Sequence, residues 1–287
     1  SLRRRQRQMC IRDSGMGGWS GLCPTQELVD AYEMANGSTP IIGYNADGTP
    51  IINGASGYSE TGFAATAGKH YPAGVYNMYV GREPRFYASI NFNGQQWRGR
   101  QLEFWQGGKD GINVSKVDYC CTGYLLRKTA DEGVDVINGK GGMKEASILF
   151  RVGSLYLDYA EALNEAEGPV DDVYKYVDAI RKRAGLPGLA KGLDKDKMRE
   201  RIQHERQIEL AFEAGHRYFD CHRWKIAEKT DNGYMHGMNI TATNKVDYSK
   251  RSTVGDSRVF EKKHYLFPIP QSEMDKRIGL VQSPYWE

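Results

Sequence analysis

The feature that most constrains this chain is a change of character near residue 148. Before it, glycine is concentrated: 23 of the 33 glycines precede residue 150. Between Tyr58 and Tyr124, 13 of 67 residues are Phe, Trp or Tyr. Glycine and aromatics without a helical period describe ordered loops and short strands. Asn36-Gly37, Asp47-Gly48, Asn53-Gly54 and Asn93-Gly94 are turn signals. The run Phe86-Tyr87-Ala88-Ser89-Ile90-Asn91-Phe92-Asn93-Gly94 reads as a strand entering a tight turn. One helix interrupts this half, with Thr25 as N-cap, Leu28, Val29 and Tyr32 as its apolar stripe, and Asn36-Gly37 as its stop.

After residue 148 the pattern is helical. Ile148, Val152, Leu155, Tyr159 and Leu163 recur at spacings of three and four, which predicts one buried helix face. Gly168-Pro169 stops that helix. Val173, Val177, Ile180 and Ala184 predict a second, closed by Gly185 and Pro187. Together they form a helical hairpin of about one tetratricopeptide unit. Such a unit cannot cover its own outer face, so it must stack on something. A third helix is expected from Lys197 to Gly215 through Met198, Ile202, Ile208 and Phe212, and a short one at Gln271–Met274.

Charge excludes one class of partner. The net formal charge is +3, but residues 1–14 carry Arg3, Arg4, Arg5, Arg7 and Arg12 against Asp13 alone. Without that tail, 34 basic residues face 35 acidic ones, a net charge of −1. Nucleic-acid binding needs a basic surplus, so no nucleic acid is expected. No apolar run is long enough to span a membrane, and none follows the basic start as in a cleavable leader. Cys10, Cys23, Cys120, Cys121 and Cys221 have no framework spacing, so they fix no compartment.

Catalytic motifs fail in turn. His204-Glu205 opens like a zinc helix, but Ile208 stands where the second histidine belongs. Residues 62–69 have the wrong glycine spacing for a phosphate loop, and residues 139–142 read as a flexible loop. Asp171-Asp172 and the set Glu205, Glu209 and Glu213 are candidate acid pairs for glycoside hydrolysis. The first suits an exposed helix start, and the second alternates with Arg206 and Arg217 as ion pairs would. No cofactor, metal or catalytic residue is expected. Aromatic faces beside Asn, Asp and Arg suit sugars, whose C–H faces stack while their hydroxyls take hydrogen bonds. Tyr44, Tyr58, Tyr71, Trp97 and Trp105 stand near turn signals and are expected to be exposed for that role. The competing reading is that they fill a loop-rich core.

Ordered motifs now suggest a family. They are Pro24-Thr25-Gln26-Glu27-Leu28-Val29, Glu83-Pro84-Arg85-Phe86-Tyr87, Tyr156-Leu157-Asp158-Tyr159-Ala160-Glu161-Ala162 and Ile180-Arg181-Lys182-Arg183-Ala184-Gly185-Leu186-Pro187. Glu205-Arg206, Glu209-Leu210-Ala211-Phe212-Glu213, Gly215-His216-Arg217, Asp220, Arg223-Trp224, Pro268-Ile269-Pro270 and Gln282-Ser283-Pro284 follow. Over residues 18–286 the chain resembles the C-terminal half of the SusD/RagB family of outer-membrane glycan-binding lipoproteins. It departs at Gly153-Ser154, where the family usually has an acid, and at Arg206-Gln207, where it has an arginine-rich pair.

The resemblance implies a mainly α fold of tetratricopeptide-like helix pairs carrying a large loop-rich excursion with short strands, here as part of a larger fold. It implies no enzymatic activity, an oligosaccharide ligand held partly by loops matching residues 38–110, and a TonB-dependent (SusC-like) transporter barrel as partner. It places the protein at the outer-membrane surface through a lipid anchor absent from this chain, with further helix pairs upstream. Residues 1–14 are then a non-native tail, 15–147 the loop-rich glycan-binding part and 148–287 the helical part of one domain. Glu205, Arg206, Glu213, Arg217, Asp220 and Arg223 read as a buried network locking helix to loop, since buried charges must be paired. Two alternatives remain: a helical interaction scaffold without sugar binding, and a glycoside hydrolase fragment.

Overall fold

A computed structural model describes residues 22–112, 119–133, 148, 150–213, 215–276 and 279–286. The tail, Cys10 and the 139–142 loop lie outside the described residues.

The first half is built on α1 (Gln26–Ala31), hairpin β1–β2 (Ile41–Tyr44, Pro50–Ile52), α2 (Pro84–Ser89), and the two-residue strands β3 (Ile90–Asn91), β4 (Gln96–Trp97), β5 (Arg100–Gln101) and β6 (Leu125–Leu126). β3 pairs with β6 and β4 with β5, all antiparallel. Loops connect these short elements, and aromatic packing holds them. Tyr79 stacks near Phe86 at 6.1 Å, sits 4.4 Å from Phe92 and meets Tyr124 edge-on at 6.1 Å. All four rings are buried, and each contributes about 3 kcal/mol.

Two sequence expectations change here. Residues 86–89 are helix, not strand. Pro84 occupies the first helical position, where its fixed φ is pre-organised and its missing N–H costs nothing. Only Ile90 and Asn91 are extended before the turn, where Gly94 takes φ 85°. Helix α1 stops at Ala31, ahead of Asn36-Gly37. The buried Arg82 guanidinium donates to the carbonyls of Val29 and Tyr32, the latter at 2.7 Å, and the His204 ring bonds the Ala31 carbonyl at 2.7 Å. These donors replace continued helix as partners for the last carbonyls.

The second half contains α3 (Val152–Glu167), α4 (Asp171–Arg183), α5 (Lys195–Glu209), α6 (His216–Arg223), α7 (Ala227–Thr230), hairpin β7–β8 (Gly233–Met238, Arg251–Arg258) around α8 (Lys245–Tyr248), and α9 (Gln271–Met274). α3 packs against both α4 and α5. Ala160, Val173, Val177, Met198 and Ile202 make the core between them. α4 ends in a Schellman motif. Leu186 N–H reaches the Arg181 carbonyl at 2.9 Å, Gly185 N–H reaches Lys182 at 3.0 Å, and Gly185 has φ 80°. The expected third helix, Lys197 to Gly215, ends early. It breaks after Glu209, where Phe212 adopts a left-handed φ of 64°, and Gly215 at φ 76° starts α6.

The buried face of α3 also differs from the expected stripe. Val152, Leu155 and Tyr159 are 60%, 46% and 47% exposed. The inward face is Ser154, Leu157, Ala160, Glu161 and Asn164. Polar residues occupy it because they meet charged partners: Glu161 takes Arg223 at 2.9 Å and Trp224 Nε1 at 2.7 Å.

Candidate functional site

A cleft of about 830 Å³ opens in the loop-rich half, lined by residues of the 68–72 loop, α2, β4 and residues 127–132. Tyr87 projects from α2 and is anchored from behind. Its hydroxyl donates to the Tyr79 carbonyl at 2.5 Å and accepts from Arg82 N–H at 3.1 Å. Burial pushes that phenol up to about 12. Two further rings lie nearly parallel to it: His70 at 5.2 Å with 22° between planes, and Tyr71 at 6.2 Å with 26°. Gly68 sets Tyr71, its N–H reaching the Tyr71 carbonyl at 2.9 Å. A Cβ on Gly68 would stand 2.4 Å from the Tyr71 ring, so this approach requires glycine.

Polar groups surround the rings. Arg127 lies over the Trp97 ring at 5.3 Å, donates to the Tyr87 carbonyl at 3.0 Å and pairs with the half-exposed Glu132 at 2.7 Å. Gln95 and Gln96 also line the space. Partial burial, with Lys69 and Arg127 nearby, lowers the His70 pKa, so its ring is neutral at pH 7. Flat aromatic faces rimmed by amides and cations can stack a sugar ring and bond its hydroxyls.

Of the five aromatics singled out from sequence, only Tyr71 lines this cleft. Tyr44 keeps 45% of its surface exposed, and its hydroxyl donates to Asp30 at 2.6 Å. Trp105 is half-buried, with Lys245 over its ring at 5.2 Å. The expected exposure of Tyr58 and Trp97 is corrected, since both are only 6% exposed. Tyr58 is drawn in by Arg82 over its ring and by its hydroxyl's bond to Glu60 at 2.6 Å. Trp97 is roofed by Arg127. A neighbouring turn signal marks the backbone as looped, but the side chain still buries when a cation and a core receive it.

The charged set singled out from sequence divides in two, because adjacent helix positions point about 100° apart. Glu205 faces α2 and α4, pairing with Arg85 at 2.6 Å and with Arg181 at 3.1 Å. Arg181 also reaches the buried Glu33 at 2.9 Å. Arg206 faces α3 and α6, with Asp220 at 2.9 Å and Asp158 as partners. Arg223 joins through Asp220 at 3.0 Å and through Glu161. Glu213 joins the Glu205 group: Arg151 pairs with it at 2.7 Å and with Glu209 at 2.6 Å, Glu209 shares Arg85 with Glu205, and Lys128 reaches Glu213 at 2.5 Å. Arg217 makes no ion pair among the described residues, a correction to its place in the set.

Two of the candidate acids, Glu209 and Glu213, are each held by cations. Burial raises the Glu209 and Glu213 pKa values, but Arg151, with Arg183 and Arg85 at Glu209 and Lys128 at Glu213, more than reverses this and holds both low. Glycoside hydrolysis needs one carboxyl kept protonated. Burial lowers the His204 pKa, and its Nε2–H donates to the Ala31 carbonyl. Among the described residues no group of three or more His, Cys, Asp or Glu is placed to hold a metal, and no helix is long and apolar enough to cross a membrane.

The model of the SusD family matches residues 2–286, including the arginine-rich start. The chain belongs to the SusD family. A SusD-like protein of Bacteroides fragilis superposes with a TM-score of 0.70 at 30% identity, covering 97% of this chain and 51% of that one. A SusD-like carbohydrate-binding protein from the same species gives a TM-score of 0.67 at 24% identity, covering 93% and 50%. SusD-like protein P25 of Formosa agariphila is 42% identical over 82 residues, 28% of this chain and 15% of P25. The chain thus spans about half the length of the solved SusD-like proteins it matches. The mainly α, tetratricopeptide-like architecture with a loop-rich excursion is that of this SusD fold.

Within this SusD family member, sequence reading missed His70, Tyr87 and Arg127. Tyr87 sits in the run that the sequence reads as a strand entering a turn, which gives it no place beside a cleft. His70 and Arg127 become legible only once the 68–72 loop is folded over α2.

Proposed function

We propose that this protein binds oligosaccharide without catalysis at the outer-membrane surface, where a lipid anchors it, and passes it to a TonB-dependent, SusC-like transporter barrel. The observation that carries the reading is the open cleft in which His70 and Tyr71 lie nearly parallel to the buried ring of Tyr87, itself held from behind. Pre-set rings stack a sugar with little ordering cost. Family membership supports the ligand class, as does the carbohydrate-binding relative from Bacteroides fragilis. The arginine-held state of Glu209 and Glu213 favours binding over hydrolysis. Tyr44, 45% exposed, and the half-buried Trp105, both outside the cleft lining, are proposed as outlying contacts for a longer chain.

Calorimetry against an oligosaccharide panel tests this. Binding by the chain that falls about tenfold in Tyr71→Ala, with unchanged melting, supports it; one stacking face is worth about 1–1.5 kcal/mol. Binding unaffected by Tyr71→Ala overturns the site. Absence of saccharide binding favours the interaction scaffold.

A further inference from the structure

The cleft carries a charge imbalance that the neutral-sugar reading does not use. Its lining holds three cations, Lys69, Arg127 and Lys128, against one acid, Glu132. Lys128 is spent elsewhere, since its Nζ pairs with Glu213 at 2.5 Å and donates to the carbonyls of Glu209 and Ala211. Arg127 uses donors on the Tyr87 carbonyl and on Glu132, a carboxylate whose side chain is half exposed. Lys69 stands in solvent at the cleft with no ion pair among the described residues. Thus one free ammonium and one guanidinium with only a solvent-exposed counter-ion flank the ring stack. The lowered His70 pKa has Lys69 and Arg127 among its causes, which fits a positive field at the aromatic surface. With His70 neutral, the stack can seat a sugar ring while the flanking cations remain for a substituent.

Resting on the site proposed above, we infer that the cleft selects acidic oligosaccharides: a sugar ring stacks on His70 and Tyr71, which the buried Tyr87 backs, while its carboxylate or sulfate is taken by Lys69 and Arg127. A sulfate or carboxylate accepts two N–H donors at once, and Arg127 offers a planar fork for this. Glu132 yields readily because an exposed ion pair is worth little. It also screens the site against a second anion nearby.

The experiment is calorimetry of the whole chain with three probes of equal length: a neutral oligosaccharide, a uronic-acid oligosaccharide and a sulfated oligosaccharide. At least one acidic probe is expected to bind about tenfold tighter than the neutral one, two exposed ion pairs giving up to about fivefold each. That advantage should shrink between about 20 and about 300 mM salt, as screened charges require. Lys69→Gln should erase most of it, while Lys175→Gln, on an exposed helix face elsewhere, should not. Which acidic probe binds tells uronate from sulfate, and either supports the inference. Neutral and acidic probes binding equally, with the same salt response, overturn acidic selectivity while leaving the sugar site intact. Acidic binding that survives Lys69→Gln undiminished also overturns it. Acidic binding that ignores Tyr71→Ala overturns the underlying site instead.

Discussion

Replacing Arg181 with Met tests whether buried charge holds the two halves together. The Arg181 side chain is 2% exposed, and those of its acids, Glu33 and Glu205, are 0% and 1% exposed. Its guanidinium donates to Glu33 at 2.9 Å, to Glu205 at 3.1 Å and to the Pro187 carbonyl at 2.9 Å. Methionine keeps much of the volume and removes all three donors. Stripping one partner from a buried pair costs about 3–5 kcal/mol. Glu33 keeps Arg201 and Glu205 keeps Arg85, so the low end, about 3 kcal/mol, applies. For a chain of this size that lowers melting by roughly 6–12 °C. The pH dependence follows from Glu33. Burial raises its pKa, but Arg201 and Arg181 more than reverse that, leaving it below the ordinary range. A depressed folded pKa stabilises above the unfolded value and loses that contribution as pH falls through the folded one. Arg181→Met weakens the depression, so the gap to wild type should be widest near neutral pH and narrow below about pH 4. Thermal unfolding at both pH values reads it. A variant melting within about 1 °C of wild type at neutral pH, or a gap undiminished in acid, refutes the reasoning.

Further outcomes follow from the same geometry. Leu157→Ala should cost about 2–5 kcal/mol in chemical denaturation, while Leu155→Ser, on the exposed stripe of α3, should stay within about 0.5 kcal/mol. Trp97→Ala and Tyr58→Ala should each cost about 3–5 kcal/mol by the same assay, because both rings are buried. Gly68→Ala should displace the Tyr71 ring and weaken oligosaccharide affinity about tenfold by calorimetry, with little change in melting, since the displaced atoms are the far end of one side chain. Glu161→Ala should lower stability by about 1–3 kcal/mol, leaving Arg223 and Trp224 Nε1 without their acid.

The sequence made the helical half legible where period and stop signals agreed. Gly185-Leu186-Pro187 closed α4 as read, and Asp171-Asp172 sit in its first turn. It misled where polar side chains own the interior. Val152, Leu155 and Tyr159 look like a core stripe, yet α3 turns Ser154, Glu161 and Asn164 inward because cations and backbone wait there. Periodicity measures apolarity and cannot see a partner more than sixty positions away. The loop-rich half was legible in kind but not in detail. Two-residue strands carry too little pattern, and Arg82 decides from a distance where α1 ends and how Tyr58 turns. The cleft was half visible, through Tyr71. The rest depended on which loop folds over α2.

The buried acid Glu33 has a consequence for synthesis. It leaves the ribosome 168 residues before Arg201 and 148 before Arg181. At common elongation rates that is roughly 10–30 s during which the early half cannot satisfy its own interior. The loop-rich half therefore cannot be finished before the helices that follow it exist. Closure is a late, non-local event, and slow folding follows from such contacts. Burying the Glu33 carboxylate without Arg181 and Arg201 would leave an uncompensated charge, so its pocket is completed only with the later helices.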